Sequence, residues 1–250
     1  MSDNTPLVSI ITPSYNSENY IEETLLSVLA QSYPNWEMVI IDDCSTDKSM
    51  DIIQKYTTLD PRIKLLFNTT NLGVAESRNK GIEVCTGEYI ALLDSDDIWF
   101  PKKLEKQIHL MQTKNIFMSY SAYNTIDEKG QTMNHFHTKN KITYHDMLKT
   151  STIGTLTTIY NAKKLGKFYF MKIGHEDYVF KLHILKQIPY AEGIDEILAS
   201  YRIAKNSISS NKLKAATWQW NIYRNIEKIS FFKSIYYFLN YTYHGIFKYK

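Results

Sequence analysis

Cysteine is scarce in this chain. Its 250 residues hold two, Cys44 and Cys85, and neither sits in a C-x-x-C pair or at zinc-ligand spacing from a histidine, which argues against zinc or redox chemistry. Such usage favours a reducing compartment. No stretch reaches the roughly 20 apolar residues of a membrane span. The start, Met1-Ser2-Asp3-Asn4-Thr5, lacks the basic region and apolar run of a secretion signal, so the expected location is cytoplasmic. A net charge of +3, with Lys and Arg spread rather than grouped, gives no nucleic-acid signature. There is no G-x-G-x-x-G after the first apolar run and no G-x-x-x-x-G-K-[ST] anywhere, which weakens dinucleotide-Rossmann and P-loop readings. What remains, 44% hydrophobic and 22% charged, suits one globular domain with a small appendage.

The first half alternates apolar runs with amphipathic stretches. Val8–Thr12 reads as a buried strand ended by Pro13-Ser14-Tyr15-Asn16, and Ile21, Leu25, Val28 and Leu29 share one helical face. Trp36–Ile41 is a second strand, ending in Asp42-Asp43, with Ser45-Thr46-Asp47 placed to cap the helix of Met50 and Ile53. Ile63–Phe67 is a third, and Asn71-Leu72-Gly73 turns into a helix over 74–84. This order predicts an α/β fold, a mostly parallel sheet flanked by helices. In such sheets ligands collect at the carboxyl ends of the strands, so the polar groups after the first, second and fourth strands are expected on one rim.

The chemistry centres on Tyr89–Trp99, an apolar strand running into Asp94-Ser95-Asp96-Asp97. On an extended chain residues i and i+2 face the same way, so Asp94 and Asp96 would converge, a seat suited to a hard divalent ion. The bland alternative is an acidic turn in which Asp97 caps the helix that begins near Pro101 and Leu104.

Four stretches taken together, Val8–Asn16, Val39–Asp47, Asn71-Leu72-Gly73 with Ser77–Gly81, and Gly87–Asp97, resemble successive motifs of family-2 glycosyltransferases. The match is strong over 6–115 and continues to about 203. The resemblance implies a GT-A fold over 1–205, with a nucleotide-sugar half (1–115) and an acceptor half (116–205). It implies that Pro13 and Tyr15 flank the nucleobase beside Asn16, that Asp43 and Asp42 hydrogen-bond base or ribose, and that Arg78 lies near the diphosphate. Asp96 would ligate Mn2+ or Mg2+, with Asp94 on the metal, sugar or ribose and Ser95 beside them. The donor would be a nucleoside-diphosphate sugar, UDP by analogy, and the acceptor a glycan or lipid-linked glycan in cell-surface polysaccharide synthesis. A non-catalytic nucleotide-sugar-binding partner of another transferase is the alternative reading.

Gly174-His175-Glu176-Asp177 opens a helix continued by Phe180, Leu182, Leu185 and Ile188. Acidic residues suit a first helical turn for dipole reasons alone. By the same resemblance Asp177 is the general base, Glu176 orients the acceptor, and His175 is the runner-up base or a helix N-cap; one base without a nucleophilic carboxylate implies inversion. Ile116–Tyr123 and Leu156–Tyr160 read as strands and Asp127–Gly130 as a hairpin turn, while 131–150 lacks a period and reads as a mobile loop whose His135, His137 and His145 are loop histidines. The remainder, 206–250, mixes aromatics (Trp218, Trp220, Phe232, Tyr236, Tyr237) with lysines, and reads as a helical tail. Either it lies on the inner face of the membrane, or it packs on the catalytic domain or a second subunit of a homo-oligomer.

Overall fold

The computed structural model describes residues 5–203 and 212–247. In chain order the elements are β1 (Val8–Ser14), α1 (Ile21–Leu29), β2 (Trp36–Asp42), α2 (Ser49–Leu59), β3 (Ile63–Phe67), α3 (Val74–Val84), β4 (Tyr89–Leu92), β5 (Ile98–Trp99) and α4 (Lys103–Thr113). There follow β6 (Met118–Ile126), β7 (Thr132–Phe136), β8 (Lys141–Ile142), α5 (Tyr144–Lys149), β9 (Ile159–Asn161), α6 (Ala162–Leu165), α7 (Glu176–Leu185) and β10 (Ala191–Arg202). The last are α8 (Lys212–Asn221), a π-helical turn over Ile222–Ile226, and α9 (Phe231–Phe247).

The strands form one sheet in the order β3-β2-β1-β4-β9-β6-β10-β5, with β7 added on β6 and β8 on β10. β1 pairs parallel to β2 and β4, and β2 parallel to β3. β9 runs antiparallel between β4 and β6, and β10 is parallel to β6. β4, β6 and β10 therefore share one direction. The doubly covered strands are mostly apolar and buried throughout: every residue of β1 and β2 is shielded from solvent, the polar Ser9, Thr12, Ser14, Glu37 and Asp42 included. Alternation along them divides the core. Ile10, Met38 and Ile40 pack with α1, α2 and α4 on one face. Ile11, Val39 and Ile41 pack toward α3, α5 and α7 on the other, where Ile222, Tyr223 and Tyr237 of the C-terminal extension join them. The boundary expected near 205 falls outside the described residues.

Four expectations are corrected. Residues 131–150 are ordered elements: β7 closes a hairpin on β6 across Asp127–Gly130, β8 pairs with β10, and α5 starts at a Thr143/Asp146 capping box. β7 showed no apolar signal because it is an edge strand with exposed side chains. The stretch from Leu156 is a 3-10 turn at Thr155–Thr157, followed by a shorter strand, β9. β4 ends at Leu92, so Asp94 and Asp96 lie in a turn closed by the Asp97 N–H to the Asp94 carbonyl (3.2 Å) and not on extended chain. Nor does Asp97 cap a helix: it accepts the Arg202 backbone N–H at 3.0 Å.

One buried strand carboxylate fastens the amino ends of the sheet. Glu37 in β2 accepts from Lys64 Nζ (2.6 Å), Ser9 Oγ (2.5 Å) and the Thr86 N–H (2.7 Å). Burial opposes its ionisation, but these donors outweigh burial and hold its pKa down at about 2. A carboxylate depressed in the folded state stabilises above its unfolded pKa and loses that contribution as pH falls toward the folded value. Urea melts should therefore show Glu37→Gln less stable than wild type by up to about 3 kcal/mol at neutral pH. The gap should narrow between about pH 4.5 and about pH 2.

Candidate functional site

Because β1, β2 and β4 run parallel, the loops after Ser14, Asp42 and Leu92 open on the same rim. The first two are tied together: the Asn16 N–H donates to Ser45 Oγ (3.0 Å) and Asn16 Oδ1 accepts from the Thr46 N–H (2.9 Å). Asn16 and Cys44 hold left-handed backbone, φ 48° and 65°, a conformation that costs non-glycine residues energy and collects at functional loops. Tyr15 stands half exposed on this rim beside Pro13. Asp42 accepts from the Ser45 N–H (2.9 Å) and Oγ (2.6 Å). Asp43 accepts from Asn68 Nδ2 (2.8 Å) and from the N–H groups of Leu72 (2.9 Å) and Gly73 (2.8 Å). It thereby fixes the Asn71–Gly73 turn, where Gly73 adopts φ 90°, open to glycine without strain.

Arg78 of α3 joins the rest. The residue is 4% exposed, and its guanidinium donates to Asp94 (2.7 Å) and to Glu176 (3.1 Å), residues 82 positions apart in sequence. Phe170 lies under it at 5.0 Å. Burial lowers the Arg78 pKa, but Asp94, Glu176 and Asp177 outweigh burial, so the group stays cationic. The Asp94–Asp97 turn and the Gly174–Asp177 turn thus face one another across a single buried cation. A hollow of about 160 Å³ lined by Gly73, Ala75, Ile173 and Glu176 opens beside it. A larger one, about 530 Å³, lies at the far end of the sheet around Leu7, Cys85 and Lys163, away from these groups.

Asp96 forms no ion pair among the described residues. Burial, then the negative charge of Asp94, raise its pKa to about 6 against the weaker pull of Arg202 and Arg78. Asp96, a hard-oxygen carboxylate without an ion pair beside the Arg78-bound Asp94, suits a hard divalent cation that takes its remaining ligands from elsewhere. Among the described residues no three His, Cys, Asp or Glu side chains form a cage by themselves. His137 pairs with Asp195 (3.1 Å) and His145 with the Tyr237 hydroxyl (2.9 Å).

Asp177 and Glu176 begin α7, and their charges diverge. Asp177 accepts from Lys181 Nζ (2.8 Å) and Thr155 Oγ1 (2.8 Å). Burial opposes its ionisation, yet Lys181, Thr155 and Arg78 prevail and its pKa is well below the ordinary carboxylate range. Glu176 is raised, by burial first and then by the charge of Asp177. His175 occupies the N-cap position at φ 60° without a side-chain capping bond.

Comparison with known proteins decides the family. Residues 9–174 match the model of glycosyl transferase family 2. The chain belongs to that family. It is a glycosyltransferase, 43% identical over 97% of both chains to TuaG of Bacillus subtilis (strain 168), a glycosyltransferase assigned to teichuronic acid biosynthesis. It is 40% identical, over 96% of its own length and 94% of the relative's, to WfgD of Escherichia coli, a UDP-Glc:alpha-D-GlcNAc-diphosphoundecaprenol beta-1,3-glucosyltransferase. S. aureus TarS 1-349, solved with UDP-GlcNAc, superposes with a TM-score of 0.73 at 23% identity, covering 88% of this chain and 65% of that one, and shows the shared GT-A fold.

In this glycosyltransferase three supporting residues escape a reading of the sequence. Lys181 stands four positions after Asp177 on the same helix, the one signal that pointed to it. Arg202 grips the acidic turn through the Asp96 carbonyl (2.9 Å) and Asp97, and pairs with Glu23 (2.6 Å). Trp218 of α8 packs against Gly174, so that a Cβ there would sit 2.1 Å from the indole.

Two outcomes follow from this packing. Lysine cannot form the two-carboxylate fork of arginine, so Arg78→Lys should lower kcat at least about tenfold while circular dichroism shows the fold retained. Gly174→Ala should also reduce turnover by displacing Trp218, and Trp218→Ala in the same chain should restore part of the loss.

Proposed function

We propose that the chain is an inverting, metal-dependent glycosyltransferase that moves a sugar from a UDP-linked donor to a lipid-linked glycan in cell-surface polysaccharide biosynthesis. The observation that carries the reading is the Arg78 bridge, because it sets the Asp94–Asp96 turn and the Glu176–Asp177 turn on either side of one site. The donor is favoured by the UDP-Glc in the name of WfgD, and the lipid-linked acceptor by the diphosphoundecaprenol in the same name. The polysaccharide context is favoured by the teichuronic acid of TuaG.

Tyr15 stacks on the base beside Pro13, and Asn16 shapes that loop. Asp43, with Asp42, accepts from the base or ribose on lone pairs left over from the turn they hold. Asp96 and Asp94 hold Mn2+ or Mg2+, with Ser95 between them; when bound, the ion supplies stabilisation of the charge on the departing nucleoside diphosphate. Arg78 acts as a positioning residue through Asp94 and Glu176. Asp177 takes the proton of the acceptor hydroxyl as its oxygen bonds to the anomeric carbon and the bond to the diphosphate breaks. A single displacement of this kind inverts the centre. Lys181 keeps Asp177 ionised and aimed, at the cost of basicity. That cost favours a second reading, in which Glu176, whose pKa is raised, is the base.

Nucleotide release measured with a UDP-sugar panel and lipid-linked acceptors tests both. Asp177→Asn should lower kcat roughly 10²–10⁴-fold with donor binding kept, and Glu176→Gln should lower it less. The reverse order would move the base to Glu176. Chelation or Asp96→Asn should abolish transfer, and unchanged turnover after exhaustive chelation would remove the metal from the mechanism.

A further inference from the structure

Helix α9 is amphipathic in the inverted sense. Phe232, Tyr236, Leu239 and Tyr243 recur at spacings of four, three and four residues and so fall on one line of the helix. Their exposures are 83%, 53%, 64% and 60%. The opposite side packs inward: Ser234 is fully buried, Tyr237 is buried with its hydroxyl on His145, and Phe238 packs against the core and Trp220. A helix that covers a domain ordinarily turns its polar line outward. Here the outward line is aromatic and leucyl.

Charge shows what covers it. Residues 205–250 contain eight Lys or Arg and a single acid, Glu227, whereas residues 1–204 contain 25 acids and 21 Lys or Arg. The Glu227 side chain is fully buried, paired with Lys186 (2.7 Å) and bonded by Tyr144, so it offers no outward negative charge. Lys228 and Lys233 of the same extension are exposed. An outward face that combines an aromatic line with exposed lysines complements an anionic bilayer, whose interface takes aromatic side chains while its headgroups attract lysine. A second copy of the chain would bring the same positive charge against it.

We infer that α9 seats the enzyme on an anionic lipid surface, inserting Phe232, Tyr236 and Leu239 at headgroup level with Lys228 and Lys233 on the phosphates. Among the described residues no helix is long and apolar enough to cross the membrane, so the contact is peripheral. The extension is continuous with the catalytic core, through Tyr223 on the Leu148 carbonyl (2.5 Å) and Trp218 on Gly174. Seating α9 therefore fixes the orientation of the whole enzyme against the bilayer.

Vesicle co-sedimentation of the full chain tests the inference without donor or acceptor, so its failure would leave the transferase reading standing. Wild type should sediment with vesicles of equal parts phosphatidylcholine and phosphatidylglycerol, stay in the supernatant with phosphatidylcholine alone, and release as salt rises. Phe232→Ser, Tyr236→Ser and Leu239→Ser combined should weaken binding at least about tenfold. The thermal midpoint of that variant should be unchanged, since these side chains are exposed. Lys228→Glu with Lys233→Glu should remove the salt-sensitive part while the aromatic line stays intact. Wild type remaining in the supernatant with anionic vesicles, or the triple variant sedimenting like wild type, would overturn the inference. So would a dimer on size-exclusion chromatography that the triple variant abolishes without any vesicle binding.

Discussion

The site depends on one guanidinium held out of water between two carboxylates. Arg78, Asp94 and Glu176 come from a helix, a strand exit and a second helix, and a buried cation of this kind is tolerable only with both partners in place. The requirement acts in both directions. Arg78 needs both carboxylates to be buried at all, and it in turn ties the turns that carry them to one point. A third acid, Asp96, is buried beside Asp94 without an ion pair among the described residues, and burial and that neighbour raise its pKa.

Around that centre the protein spends backbone hydrogen bonds on loops instead of leaving them to solvent. Asp43 fastens the turn before α3, Asp42 fastens the turn after β2, and Arg202 at the end of β10 fastens the acidic turn. Each of these loops follows a strand whose direction is fixed by parallel pairing, so the rim is a product of sheet topology. The extension adds a further support. Trp218 occupies the space that any side chain at position 174 would need, so the turn that delivers Glu176 and Asp177 is shaped by residues roughly forty positions downstream.

The strands β1, β2 and β4 were legible because central parallel strands are largely apolar on both faces and end at polar punctuation; the edge strand Ile63–Phe67, a short apolar run, and the helix over 74–84 also fall where the pattern put them. The region 131–150 was not legible. An edge strand with exposed Thr132, Met133 and Asn134 shows neither helical nor alternating periodicity, and only its partner β6 makes it a strand. The geometry of the acidic turn was misread for a related reason: the D-x-D spacing suggested an extended chain, whereas the Asp97 N–H closes a turn on Asp94.

By itself the sequence determined the element order of the first half, the acidic stretches and the family, because apolar period, turn residues and ordered motifs are local properties of the chain. It also spelled the aromatic spacing of α9. Only the tertiary structure decided that Arg78 meets Asp94 and Glu176, that Lys181 holds Asp177, and that the aromatic line of α9 faces outward while Ser234 faces in. The reason is physical: which charge pairs with which, and which face is buried, depend on long-range packing that brings together residues tens of positions apart, and no local pattern encodes that distance.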